Sequence, residues 1–351
     1  MNIENFIQNK PYLIAGPCSA ESEEQMMTTA DLISDKINLF RAGIWKPRTN
    51  PGSFQGFGEK ALDWIKKVKQ KKGVKICTEV ATPHHVELCL DAGLDALWIG
   101  ARTTVNPFYV QEIAESLRGV DIPIFVKNPI HPELGLWTGA LERFNKVGIC
   151  KIAAIHRGFF TRESSPYRND PKWEIPIELK RQNPLLPIIC DVSHIAGDVN
   201  LIFDIAQVAI DLDMQGLMIE THNNPGLALS DSKQQILPSG LIKILETLVV
   251  KRINFENDQF NNNLLLLRNK VDKVDQSIID FLNDRIDIVK EIATLKQANQ
   301  ITIFQLERWF EILLNTKNQA QKIGLDPKMI TEIFEVIHKY SILTQTNIMR
   351  K

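Results

Sequence analysis

No apolar run in the sequence approaches the roughly 20 residues that would span a bilayer, so a transmembrane helix is excluded. The opening segment, MNIENFIQNK, has neither a basic stretch nor an apolar core, and no secretory signal is expected. Neither sign of charge dominates. With 41 Lys and Arg against 42 Asp and Glu, nucleic acid and anionic membranes are not expected as partners. Cysteine is sparse: Cys18, Cys77, Cys89, Cys150 and Cys190 are odd in number and form no C-x-x-C pair. That usage fits reduced, mostly buried thiols and a cytoplasmic location. A glycine fingerprint for phosphate is also missing. The first β-rich run leads into IAGPCSAES, which is neither G-x-G-x-x-G nor a P-loop.

The chain has 351 residues, more than one hydrophobic core usually organises, so two domains are expected. Short β-branched runs predict strands at residues 12–16, 39–42, 74–79, 96–100, 122–127, 150–155, 187–191 and 216–220. Helical stretches follow them, for example at 59–71, 83–92 and 199–210. Eight apolar strands alternating with helices predict a parallel sheet closed into a (β/α)8 barrel over 1–253. An open doubly wound sheet is the rival, and the missing fingerprint argues against it. Residues 254–263 read as an Asn-rich linker, and 264–351 as a small all-helical domain with helices at 264–297, 305–323 and 327–348. The apolar stripe of the first of these is too long for two shorter helices to cover. Packing therefore predicts a dimer through the helical domain.

In a (β/α)8 barrel, catalytic groups sit just after the strands. Those positions carry Cys18, Arg41, Lys46, Arg48, Arg102, Lys127, His156, Arg157, Asp191, His194, Glu220, His222 and Asp231. Cys18, His194, Glu220 and Asp231 mix soft, borderline and hard donors, which suits a divalent transition metal, Mn foremost with Fe, Co or Zn as alternatives. Arg41, Lys46, Arg48, Arg102, Lys127 and Arg157 are six cations at one mouth, a set that calls for polyanionic substrates such as phosphorylated acids. Any one of these residues alone is more often structural, and Lys66, Lys67, Lys69, Lys71 and Lys72 read as a plain exposed helix face. Coincidence after predicted strands is what lifts the rim set.

These residues lie in IAGPCSAES, RAGIWKPRTNPGSFQGFGE, TEV, IGARTTVNP, VKNP, DVSH, IETH and ALSDSKQ, and the region 10–245 resembles type I 3-deoxy-D-arabino-heptulosonate-7-phosphate synthase. The resemblance implies condensation of phosphoenolpyruvate with erythrose 4-phosphate on a divalent metal. It implies Cys18, His194, Glu220 and Asp231 as metal ligands and Lys46, Arg102, Lys127 and Arg157 as the phosphoenolpyruvate clamp. Arg48 and Thr49 would hold erythrose phosphate. Asp198 stands where relatives often carry a basic pair, and THNNPG lacks a usual His–Pro pair. The alternative is the sister synthase making 3-deoxy-octulosonate 8-phosphate, with the helical region as a dimerisation or regulatory tail. Its strand-2 loop typically reads K-A-N-R where this chain has Lys46-Pro47-Arg48-Thr49.

In the helical region, Arg285 and Lys296 are separated by close to three helical turns and share a face about 16 Å apart along the axis. Two such cations can bracket a small dianion. Arg268 lies about 25 Å from Arg285 along the same helix, so only a partner chain could bring it to that site. Singly, these are ordinary solvated positions. With Arg308, Ser341 and Gln345, and through LLLLRNKVDKVDQSIIDFLNDRIDIVKEIATLK and YSILTQ, residues 262–348 resemble the helical chorismate mutases. The resemblance implies that Arg268 of the partner, Arg285 and Arg308 hold the substrate, and that Lys296 and Gln345 face its breaking ether bond. Trp309 and Gln305 stand where relatives often have acids. A site that recognises chorismate or prephenate could also feed back on the barrel.

Overall fold

A computed structural model describes residues 1–350 except 8–9, 48–49, 51, 163–164 and 252–256. The chain forms two compact units, Met1–Ile253 and Asn254–Lys351. Among the described residues, no helix is long and apolar enough to cross a membrane.

In the first unit eight parallel strands close into a barrel in sequence order. They are β1 (Tyr12–Gly16), β2 (Leu39–Arg41), β3 (Ile76–Val80), β4 (Ala96–Ile99), β5 (Ile124–Lys127), β6 (Ile152–His156), β7 (Ile188–Asp191) and β8 (Gly216–Glu220). Closure runs along β1 and β8, in register from Tyr12 opposite Gly216 to Gly16 opposite Glu220. The closed barrel expected from the alternating pattern is the observed fold, and the open sheet is excluded. Gly16 is obligatory on the side of β1 that faces β2: its φ is +146°, and a Cβ there would lie 2.2 Å from the Arg41 carbonyl oxygen.

Side chains alternate across each strand. Ile14, Leu39, Cys77, Trp98, Phe125, Ile155, Ile189 and Met218 fill the interior, while Leu13, Phe40, Ile76, Leu97, Ile124 and Ala154 pack outward under the helices. Phe6 packs edge-on against Phe125 at 5.9 Å, and Ile7 is buried in the same interior cluster. By the same parity, the residues that end or nearly end five strands point into the mouth: Arg41, Glu79, Lys127, Asp191 and Glu220. His156 has the opposite parity. The sequence reading set it at the rim, but β6 runs to His156 itself, and its imidazole faces the helix layer among Trp137, Phe159 and Trp173 at 5.2–6.3 Å.

The second unit is three helices, Asp258–Ala298, Leu306–Lys322 and Pro327–Met349. Residues 258–263, expected as linker, are the first turns of the long helix. Asn257 caps it, accepting a bond from the Phe260 N–H, so the polarity there marks a helix start. Residues 254–256 of that expected linker lie outside the described residues. Asp326 caps the third helix ahead of Pro327, as expected. Val289, Ala293 and Ala320 are buried in this unit, whereas Leu267, Val271, Val274, Ile278 and Phe281 of the long helix are each more than half exposed.

Candidate active sites

The barrel mouth is built in two levels. At the lower level lie Arg41, Lys127, Asp191 and Glu220, all but sealed from water. Lys127 Nζ donates to Asp191 at 2.7 Å, and the same carboxylate lies 2.9 Å from His194 Nδ1. Asp191 thus ties a β5 cation to the ring that follows β7, engaging it through Nδ1 rather than Nε2. Arg41 Nη2 lies 3.1 Å from Glu220 Oε1 and also donates to the Cys18 carbonyl oxygen. Gln234 holds Glu220 Oε2 at 2.7 Å, yet Oε1 lacks an aligned hydrogen bond among the described residues.

Three ligand atoms converge here: the Cys18 thiol and one carboxylate oxygen each of Glu220 and Asp231 lie within 4.8 Å of one another. His194 stands at the edge of this set, its Nδ1 3.8 Å from Glu220 Oε1. Cys18 Sγ donates to Asp231 Oδ2 at 3.3 Å and accepts from Lys46 Nζ at 3.0 Å. Asp231 holds a left-handed backbone, φ 49° and ψ 37°, uncommon for a non-glycine residue and a device for aiming its carboxylate. Burial pushes the Cys18 thiol up to about 12, with the Glu220 charge adding to it. Burial also raises the Glu220 and Asp231 carboxyls, but His194 together with Arg41 and Lys46 (for Glu220), or with Arg168 and Lys46 (for Asp231), outweighs it and keeps both ionised. A divalent transition cation fits this set: two ionised carboxylates, one with its Oε1 short of an aligned donor, and a thiol that only a cation would deprotonate.

The upper level is an open cavity of about 380 Å³ lined by Lys46, Arg102, Arg157, Arg168, His194, Asp231 and Glu79. Four cations therefore face one space. Burial brings the Arg157 guanidinium down to about 10, still fully charged near neutrality, and Asn169 Oδ1 holds it at 2.7 Å. Of the sequence-predicted cations, Lys46, Arg102 and Arg157 line the cavity. Arg41 and Lys127 lie beneath it, and Arg48 and Thr49 fall outside the described residues. Glu79 and Arg168 were not predicted. Glu79 accepts from Trp98 Nε1 at 2.9 Å, and Gly100 leaves it room, since a Cβ there would lie 2.1 Å from its Oε1. Arg168 donates to Asp231 Oδ1 at 3.1 Å and to Gln234.

The helical unit has its own cavity of about 520 Å³. It gathers Arg285, Lys296, Arg308, Ser341 and Gln345 from all three helices, the first two being the pair that spacing set on one face and the others those that the family resemblance implied, and Gln305, Trp309 and His338 join them. Arg285 Nη1 donates to Ser341 Oγ at 2.6 Å, and Lys296 Nζ to the Ile303 carbonyl at 2.7 Å. Arg308 pairs with Glu311 at 3.0 Å. Burial lowers the pKa of both Arg285 and Lys296, a cost that an anionic occupant offsets. Gln345 Nε2 donates to the Ser341 carbonyl at a long 3.5 Å, and its Oε1 is buried without a partner among the described residues. Arg268 is exposed and does not line this cavity.

Comparison with known proteins agrees with both halves. Residues 5–254 match the DAHP synthetase I family and residues 267–346 match chorismate mutase type II. The chain is 32% identical over 225 residues to phospho-2-dehydro-3-deoxyheptonate aldolase of Thermotoga maritima, and spans 64% of that enzyme's length. It is 25% identical over 279 residues to 2-dehydro-3-deoxyphosphooctonate aldolase of Polaromonas naphthalenivorans, covering 72% of this chain and 94% of that one. The crystal structure of the Thermotoga maritima DAHP synthase superposes with a TM-score of 0.61 at 30% identity, over 67% of each chain. A truncated form of the same synthase gives 0.59 at 26% identity, over 67% of this chain and 84% of that one. With its larger unit matched throughout, the chain belongs to the DAHP synthetase I family and carries a chorismate mutase type II domain behind the barrel.

Proposed function

We propose that the chain is a bifunctional enzyme of the shikimate pathway. Its barrel condenses phosphoenolpyruvate with erythrose 4-phosphate, and its helical domain rearranges chorismate to prephenate. The observation that carries the first half is the pairing of a Cys18–Glu220–Asp231 donor set, its first two members buried, with four cations of the described residues around one cavity. Cys18, Glu220, Asp231 and His194 through Nε2 are the residues that would hold a divalent metal, Mn foremost. When bound, such a cation supplies a Lewis acid for the aldehyde carbonyl. Lys46, Arg102 and Arg157, with Lys127 and Arg41 below them, would bind the phosphate and carboxylate of phosphoenolpyruvate and orient its enol carbon toward the aldehyde. Arg48 and Thr49 would take the erythrose phosphate. Arg168 and Glu79 join the lining, and Asp191 fixes the Lys127 ammonium by a 2.7 Å bond.

For the mutase, Arg285 and Arg308 would hold the substrate carboxylates, with Ser341 steadying Arg285. Lys296 and Gln345 would donate to the ether oxygen as that bond breaks. The rearrangement needs no nucleophile or base, so restriction of the substrate and charge complementarity carry the rate. A second copy of the chain would supply Arg268. The exposed apolar stripe of the long helix, from Leu267 to Phe281, supports a homodimer through this domain. Filling of the helical site by chorismate or prephenate would then damp the barrel's activity, with a coupling of about 1–3 kcal/mol.

Turnover with each aldehyde, with and without chelator, tests the barrel half. Erythrose 4-phosphate should be used, chelator should abolish the reaction, and Mn(II) should restore it. Use of arabinose 5-phosphate instead would favour the octulosonate reading, to which the phosphooctonate relatives lend weight. Chorismate disappearance tests the mutase half. Prephenate should inhibit condensation by the wild-type chain but not by Arg285→Ala, and equal inhibition of both would remove the helical domain as the sensor.

A further inference from the structure

The helical cavity contains a polar residue that no role above uses. His338 of the third helix lines it beside Trp309 of the second. The imidazole lies flat on the indole, with ring centroids 3.9 Å apart and planes 16° from parallel, and it meets Phe304 at 6.0 Å and 62°. Two aromatic contacts from different segments hold the ring in one orientation, so any bond it makes to an occupant costs little ordering. Among the described residues, His338 Nε2 is shielded from water and has no hydrogen-bond partner. A polar atom left in that state destabilises the folded unit unless something in the cavity completes it. Burial, and after it the Arg285 charge, lowers the pKa of this histidine. The ring is therefore neutral near pH 7, with one donor and one acceptor nitrogen.

On the mutase reading, one polar group of the substrate is left for it. Chorismate brings two carboxylates, an ether oxygen and one ring hydroxyl. The arginines are matched to the carboxylates, and Lys296 with Gln345 to the ether, which leaves the hydroxyl. Ser341 is already committed: its Oγ accepts from Arg285 at 2.6 Å and donates to the Ile337 carbonyl at 2.8 Å. Gln305 and Glu307 also line the cavity, but both are exposed, where water competes for their hydrogen bonds. We propose that His338, pinned against Trp309, hydrogen-bonds the ring hydroxyl of the substrate and makes the site selective for a hydroxylated ring. This assignment rests on the mutase reading and adds a specificity contact to it. A neutral donor–acceptor ring suits a hydroxyl, which can give and take one bond at once. A site built to pair a hydroxyl also rejects an analogue that lacks it, because the ring nitrogen is then left unpaired.

The test uses the full-length chain with chorismate and with the analogue lacking only the ring hydroxyl. His338→Phe keeps an aromatic ring on Trp309 and removes both nitrogens. It should lower kcat/KM for chorismate about 10-fold or more, the size of one lost hydrogen bond, and leave kcat/KM for the analogue within about 2-fold. His338→Gln, which restores a donor and an acceptor, should recover part of the preference for chorismate. Should His338→Phe slow both substrates equally, the residue only supports the wall and the inference is overturned. The same follows if Trp309→Phe, rather than His338→Phe, erases the preference, since the indole N–H is then the contact. Failure of the wild-type chain to turn over chorismate at all would instead overturn the mutase reading, and the inference with it.

Discussion

The barrel and the helical unit assemble charged sites in opposite ways. In the barrel, one chain closes on itself, and the seam between β1 and β8 sets Gly16 beside Glu220. Arg41 and Glu220 are 1% and 0% exposed, and such buried charges persist only because every neighbour is fixed by the closed sheet. The helical unit has no such enclosure. Arg285, Lys296 and Arg308 gather at one cavity, while Arg268 and most of the long helix's apolar stripe face outward. A closed sheet can complete its site within one chain, whereas on the proposed reading the long helix lends Arg268 to the site of another. Loss of single residues should therefore act differently in the two units.

The largest effect should come from the donor set. Cys18→Ala should remove bound metal and cut condensation by about 10³-fold or more while leaving chorismate turnover intact. Metal content by elemental analysis together with both assays checks this; unchanged metal content would break the assignment. Next, Arg285→Ala and Lys296→Ala should each lower mutase activity by about 10²-fold without touching condensation. Loss of both activities in either variant would mean that the units are not separable. Asp191→Asn should be milder, about 10- to 100-fold in condensation with weaker metal retention, because it acts by orienting Lys127 and His194.

The smallest effect is one of pH on stability, and it too divides the units. Burial brings His156 down to about 3, and it sits among Trp137, Phe159 and Trp173. A lowered histidine is neutral when folded and protonated when unfolded between its folded value and its usual one of 6.5. The stability it contributes is complete above pH 6.5 and falls by about 1.4 kcal/mol per pH unit as pH drops toward 3. Denaturant melts of wild type and His156→Phe across pH 7 to 4.5 should diverge in the barrel transition only. Parallel pH profiles would remove His156 as the cause.

Much of this division was legible in the sequence. Strand alternation carries the barrel and fixes which strand-end residues look inward, although Arg41, Lys127 and Glu220 stand out in the sequence by their place at predicted strand ends rather than by that parity. The same parity, applied strictly, would have pointed to Glu79, two residues beyond Cys77 on the interior face of β3. It would have removed His156, which follows the inward-facing Ile155 on β6 and so faces outward. Arg168 gave no local signal: it lies in the long loop after β6, well past the strand end, and is drawn in by Asp231 and Gln234. In the helical unit the 3.6-residue period located the helices and the Arg285–Lys296 face. Asn-rich composition misled at 258–263, because asparagine favours caps, and here Asn257 caps a helix that begins at once. The Trp309–His338 stack joins two helices and has no sequence period to announce it.

The contrast between a self-contained barrel and a shared helical site is tested most directly by complementation. Full-length Arg268→Ala and Arg285→Ala chains, each expected to be about 10²-fold down in mutase activity, are mixed and allowed to exchange subunits. Random pairing leaves about a quarter of the helical sites with both arginines intact. The mixture should therefore regain about a quarter of wild-type chorismate turnover, while condensation stays at the wild-type level in both parents and in the mixture. Full subunit exchange with no recovery of chorismate turnover would contradict the account.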